Sequence, residues 1–166
     1  YSYCAALPHA EGIGWDLVAI RRLGNRMAVW RMRERSPSLV FENEVTGMAL
    51  TGVPDVIDRK RDSRYDLIVG RGDGSVVVYP RDDTSAFPAF VGEAVPVLAG
   101  TVPIDVRGPA FPCVFRRRDD RRDLLVGTGD GYVVLFRDIG DAGEVAYDRG
   151  RRLADAEGYI HVQGPA

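Results

Sequence analysis

The chain has 166 residues, 45% of them apolar and 28% charged, the composition of a globular protein with one sizeable core rather than a disordered one. Its 22 Lys and Arg against 24 Asp and Glu leave a net charge of −2, so no global electrostatic pull toward nucleic acid or an anionic membrane is expected. Apolar runs are only a handful of residues long, far below the roughly 20 that span a bilayer, and membrane insertion is not expected. No signal peptide is visible, and because the sequence opens at Tyr1 this decides nothing about export.

In chain order, the first predicted hairpin joins Asp16-Leu17-Val18-Ala19-Ile20 to Met27-Ala28-Val29-Trp30 through a turn at Gly24-Asn25. Leu39-Val40-Phe41 supplies another strand, and residues 53–57 lead into a second hairpin. There Asp66-Leu67-Ile68-Val69-Gly70 is followed by the turn Arg71-Gly72-Asp73-Gly74 and by Ser75-Val76-Val77-Val78-Tyr79. Residues 87–98 and 106–115 supply further strands. The third hairpin, 57 residues after the second, reads Asp123-Leu124-Leu125-Val126-Gly127, Thr128-Gly129-Asp130-Gly131, Tyr132-Val133-Val134-Leu135-Phe136. Short β-branched runs around a Gly-containing turn are hairpin chemistry, and no window carries a sustained helical period.

Four strands recurring every 50 to 57 residues predict an all-β protein of about three four-stranded blades of a β-propeller. The chain reads as a single repeat-built domain, with approximate blades at 1–50, 51–107 and 108–166. Pro103-Ile104-Asp105-Val106-Arg107-Gly108-Pro109-Ala110 recurs as Tyr159-Ile160-His161-Val162-Gln163-Gly164-Pro165-Ala166, so the sequence stops in mid-repeat. Closed propellers need about four to eight blades. An incomplete ring is therefore expected, a fragment whose missing blades come from the same longer chain or from another chain. Its end blades would expose apolar faces and associate.

The hairpins at Asp66 to Tyr79 and Asp123 to Phe136 resemble the FG-GAP and VCBS repeat families, with Asp-Leu-Leu-Val-Gly, an Asp-Gly turn and a Val-rich strand ending in an aromatic. The resemblance implies an integrin-like propeller, secreted or at the cell surface. It also implies calcium loops with oxygen donors at alternate positions. Carried over, these are Asp58, Lys60, Asp62 and Asp66 with Ser63 where glycine is usual, then Phe115, Arg117, Asp119 and Asp123, then Pro8, Ala10, Gly12 and Asp16. Cations among the carboxylates repel calcium, so no metal and no cofactor is expected. Degenerate calcium loops at Asp58, Asp62, Asp66, Asp119 and Asp123 are the alternative. Lys60 is a candidate internal cation standing in for the ion.

Arg71-Gly72-Asp73 matches an integrin-binding tripeptide, but its Gly and Asp are turn residues the repeat already demands. Acids interleave the basic runs at Arg116 to Arg122, which points to self-paired solvated loops. Tyr79, Trp30 and Phe136 end strands at corresponding places and are expected to pack between blades. Cys4 and Cys113 are too few for a disulfide framework or a zinc site, and the apolar neighbours of Cys113 predict a buried free thiol, a Cys4 to Cys113 bridge being the alternative. Neither His9 nor His161 has a partner arrangement that marks catalysis, so no catalytic residue is assigned. The expected function is a noncatalytic propeller module for ligand binding or scaffolding, with a carbohydrate or protein partner outside the cytoplasm. The alternatives are the propeller part of a polysaccharide lyase whose catalytic residues lie elsewhere, and a purely architectural piece.

Overall fold

A computed structural model describes residues 2–8, 14–21, 26–33, 36–44, 53–84, 90, 93–141 and 143–162. All the regular structure among them is β. The first sheet is an antiparallel meander of β1 (Ser2–Pro8), β2 (Trp15–Arg21), β3 (Arg26–Arg33) and β4 (Ser36–Glu44). The first predicted hairpin thus lies in β2 and β3, while its turn at Gly24-Asn25 is outside the described residues, as is the side chain of Trp30.

The second sheet repeats the meander with β5 (Val53–Ile57), β6 (Asp66–Gly70), β7 (Val76–Tyr79) and β8 (Val95–Pro96). A small hairpin of β9 (Leu98–Ala99) and β10 (Val102–Pro103) follows, so the strands expected within 87–98 begin at Val95 among the described residues. The third sheet contains β11 (Phe111–Arg116), β12 (Arg122–Gly127), β13 (Val133–Phe136) and β14 (Arg151–Arg152), and its small hairpin is β15 (Ala154–Asp155) with β16 (Gly158–Tyr159). The same connections tie both hairpins down: Val106 N–H donates to the Gly74 carbonyl at 3.0 Å, and Val162 N–H to the Gly131 carbonyl at 2.8 Å. Gly74 and Gly131 have φ of 99° and 87°. A β-carbon at Gly74 would stand 1.9 Å from the Val106 carbonyl oxygen, so both conformation and space demand glycine there.

Strand alternation gives each sheet two apolar faces. On the second sheet Leu67, Val69, Val77 and Tyr79 turn toward the first, where they form a buried cluster with Leu7 and Val18. Ile57, Ile68, Val76 and Val78 turn the other way and meet Leu124, Val126 and Phe136 of the third sheet. The leading strands β1, β5 and β11 lie side by side, β1 beside β5 and β5 beside β11. The sheets are therefore stacked face on face in chain order, and no closed barrel or ring forms among the described residues. Tyr79 and Phe136 are buried in these two interfaces, the packing role expected of them.

Cys113 corrects the sequence reading. Its neighbour Pro112 is buried, but alternation turns Cys113 to the opposite face of β11, which no sheet covers among the described residues, and the thiol is exposed. Cys4 is exposed too, and both are free.

Replacing Gly74 by Ala should lower stability by at least about 1 kcal/mol, since it adds a left-handed backbone penalty to a clash with main chain. Gly143, whose β-carbon would meet nothing within 4 Å, should accept Ala with a change below about 0.5 kcal/mol. Thermal unfolding of the two variants checks both.

Candidate functional site

The loops expected to resemble calcium sites stand at the boundary between the second and third sheets. Ile57 pairs with Asp66 and Phe115 with Asp123, so the loop is one residue shorter in the third sheet. Asp58 therefore corresponds to Arg116, not to the Phe115 that constant spacing matched with it.

Asp58 is buried. Its Oδ1 accepts the Asp62 N–H at 3.0 Å and its Oδ2 accepts the Ser63 N–H at 3.3 Å. The same Oδ2 receives Arg122 Nη2 from the third sheet at 2.9 Å, with both side chains only 7% exposed. Asp66 accepts Arg59 Nε at 2.7 Å and the Arg81 N–H at 2.9 Å. Asp123 accepts the Asp138 N–H at 2.8 Å, with Arg117 3.6 Å away. Asp62 and Asp119 are exposed, the latter paired with Arg117, which holds its carboxyl below the usual range. The guanidinium groups of Arg122 and Arg116 do the same for Asp120. In the first repeat Asp16 is buried, while Ala10 and Gly12 fall outside the described residues.

The idea of Lys60 as an internal cation is overturned. Its side chain is 59% exposed and its ammonium lies 3.9 Å from Asp83, away from the buried carboxylates. Arginine fills the role instead, because a planar fork can bridge two loops where a point charge on a flexible stem stays hydrated. A partner that sequence reasoning missed is Asp138, wholly buried and accepting Arg61 Nη2 and the Arg122 N–H, both at 2.8 Å. Its only signal was position, 15 residues after Asp123, where Arg81 follows Asp66 by the same interval. With their oxygens committed to guanidinium and backbone donors, these carboxylates do not fit the calcium the resemblance implied. Among the described residues no group of three or more His, Cys, Asp or Glu is arranged to hold a metal ion.

Beside this network a cavity of about 280 Å³ separates β8 from the segment after β13, with Ile57, Val97 and Val145 as apolar wall and Arg59, Glu144 and Tyr147 as polar groups. Tyr147 is buried, which pushes its phenol well above the ordinary value, and its hydroxyl has no hydrogen-bond partner among the described residues. A second, more open groove of about 510 Å³ runs from Phe111 past Thr128 and Asp130 to Tyr132 and His161. At its rim the Arg152 guanidinium lies 4.0 Å over the Tyr132 ring, and Tyr159 stands edge-on to that ring at 6.4 Å. His161 Nε2 donates to the Asp130 carbonyl at 2.9 Å.

The tripeptide at Arg71 serves the fold. Arg71 Nη2 meets the Tyr79 hydroxyl at 3.3 Å, and its carbonyl accepts the Ala110 N–H at 3.0 Å from the chain entering the third sheet. Asp73 is held by the Ser75 N–H and hydroxyl at 3.0 and 2.7 Å. No family model matches the chain, and neither the curated proteins nor the solved structures include one that is similar.

Millimolar calcium or a chelator should leave the thermal midpoint unchanged, and Lys60→Asn should neither shift it nor create a calcium response; a rise with calcium in either protein would contradict the arginine account. Asp55 tests the boundary by pH. Burial raises its carboxyl above 3.8, opposed by the N–H groups of Val114 and Val56. Ionised Asp55 therefore costs the fold, and this group contributes stability as the pH falls through its folded value toward 3.8. Asp55→Asn removes the titrating group, although it keeps an acceptor for only one of the two N–H groups, so the rise in stability as the pH falls toward 3.8 should be smaller in that variant than in the unmodified chain. Urea unfolding at several pH values checks this.

Proposed function

We propose that the chain is a noncatalytic β-propeller module of the FG-GAP and VCBS type that binds carbohydrate outside the cytoplasm. The propeller reading is supported by three meanders stacked face on face with their first strands adjacent, as blades stand around an axis. The observation that carries the ligand class is the rim of the larger groove. Tyr159 is 63% exposed beside Tyr132 and Arg152, and Thr128 and Asp130 line the same groove with polar oxygens. Flat aromatic surface with adjacent hydrogen-bonding groups suits a sugar ring, whose one face is apolar and whose edges are hydroxyls. The motif residues bring the cell-surface context and the architecture; the groove brings the ligand.

A glycan array probed with the chain, followed by titration of the best glycan, tests this. Tyr159→Ala and Tyr132→Ala should each weaken binding about tenfold, the loss of roughly 1.4 kcal/mol of stacking and buried contact. Retention of no glycan, or retention that ignores both substitutions, would contradict the carbohydrate reading.

A further inference from the structure

Four side chains of the last repeat gather at the rim of the larger groove: Tyr132, Arg152, Tyr159 and His161. The Arg152 guanidinium lies 4.0 Å over the Tyr132 ring and 6.0 Å from the centre of the Tyr159 ring, and the His161 ring stands 4.8 Å from Tyr132. The second sheet shows what the fold itself needs at these places. Val77 pairs with Pro96 as Val134 pairs with Arg152, and Leu98 pairs with Pro103 as Ala154 pairs with Tyr159. The bridge of Ser75 with Asp105 likewise corresponds to that of Tyr132 with His161. A serine, two prolines and an aspartate thus satisfy the same backbone, so neither the aromatic rings nor the cation is demanded by the fold. Pro96, Pro103 and Asp105 are exposed even though the second sheet is packed on both faces. Covering the outer face of the third sheet would therefore leave Arg152, Tyr159 and His161 open in the same way.

Arg152 has donors to spare. Its side chain is 43% exposed, the Asp130 Oδ2 that approaches it stands 3.8 Å away, beyond hydrogen-bond reach, and among the described residues its guanidinium makes no hydrogen bond. Stacking on Tyr132 occupies a flat face of the fork and leaves its N–H edge open. Asp130 does not spend this cation. Its Oδ1 accepts the Thr128 hydroxyl, and after that bond the Arg152 and Arg107 guanidinium groups hold its carboxyl below the usual range. Two guanidinium groups act on one carboxylate there, an excess of positive charge. Asp155 of the outer hairpin is bound to its own turn, where it accepts the Glu157 and Gly158 N–H groups at 2.9 and 3.1 Å.

We propose that the groove takes an acidic sugar, a uronate whose ring lies on Tyr159 and whose carboxylate meets the N–H edge of Arg152. This assignment of charge rests on the carbohydrate reading of the groove and adds the residue that selects the ligand. A planar carboxylate matches the guanidinium fork with two parallel hydrogen bonds, whereas the hydroxymethyl group of a neutral hexose offers one oxygen and no charge. Arginine suits the task better than lysine, because its fork can stack on Tyr132 and hold an anion at its edge at the same time.

An array carrying uronate oligosaccharides as free acids, the same oligosaccharides as methyl esters, neutral hexose oligosaccharides and sulfated glycans gives the test, followed by calorimetric titration of the best acid and its ester. The free acid should bind about tenfold more tightly than the ester at low salt, the size of one charge-assisted contact, and the margin should shrink as salt is added. Arg152→Gln should abolish the margin by weakening the acid alone. Arg152→Lys should restore only part of it, since a point charge does not form the bidentate pair. Arg151→Gln, on the opposite face of β14, should keep the margin. Thermal unfolding verifies that each variant is folded. An ester bound as tightly as the acid, a preference for sulfated or neutral glycans, or a margin that survives Arg152→Gln would overturn the proposal and leave the carbohydrate reading in place. Binding to no glycan of any kind would contradict both.

Discussion

Between the second and third sheets two arginines cross in opposite directions. Arg61 leaves a loop of the second sheet for Asp138 of the third, and Arg122 leaves the third for Asp58 of the second. Each carboxylate also gathers backbone N–H groups from its own sheet and loops, Asp58 from Asp62 and Ser63, Asp138 from Gly140 and from Arg122 at the start of β12. The exchange therefore fixes the shape of both loops and the setting of one sheet on the other at once. Burying such charges gains little over an apolar contact of the same shape, but leaving one of them unpaired costs about 3–5 kcal/mol. The network acts chiefly as a constraint. Only the stacking in which all its members are paired avoids the penalty.

That constraint shapes the surfaces available for function. With the loops held by arginine, the oxygens of Asp58 and Asp138 are committed to the fold, and the cavity at Tyr147 lies beside the interface they hold together. Burial of both faces of the second sheet, at Leu67 on one side and Ile68 on the other, makes that sheet depend on the first and third sheets between which it is packed.

Much of the architecture was legible because hairpin chemistry is local. The runs at Asp66 and Asp123 carry their own turn glycines and β-branched strands, and both hairpins formed where the pattern put them. The site was less legible because its pairings join residues such as Asp58 and Arg122 that are 64 apart. No spacing rule selects one arginine from a run of them, and the sequence offered Lys60, nearer in the chain but turned to solvent. Cys113 failed for a related reason. Apolar neighbours predict burial, yet a strand shows its successive residues to opposite faces, and which face is covered depends on what stacks there. The one-residue difference in loop length, which moved the counterpart of Asp58 from Phe115 to Arg116, appears only in the strand register.

The central claim is that the second and third sheets are locked by a buried exchange of charge, Arg61 with Asp138 and Arg122 with Asp58. A double-mutant cycle on Asp58→Asn and Arg122→Met, read by urea unfolding, tests it most directly. The account predicts that each single change costs several kcal/mol and that the pair is much less than additive, with a coupling of about 2 kcal/mol or more, because the second substitution relieves the charge stranded by the first. Costs that add to within about 0.5 kcal/mol would mean that the two residues do not act on each other, and would contradict it.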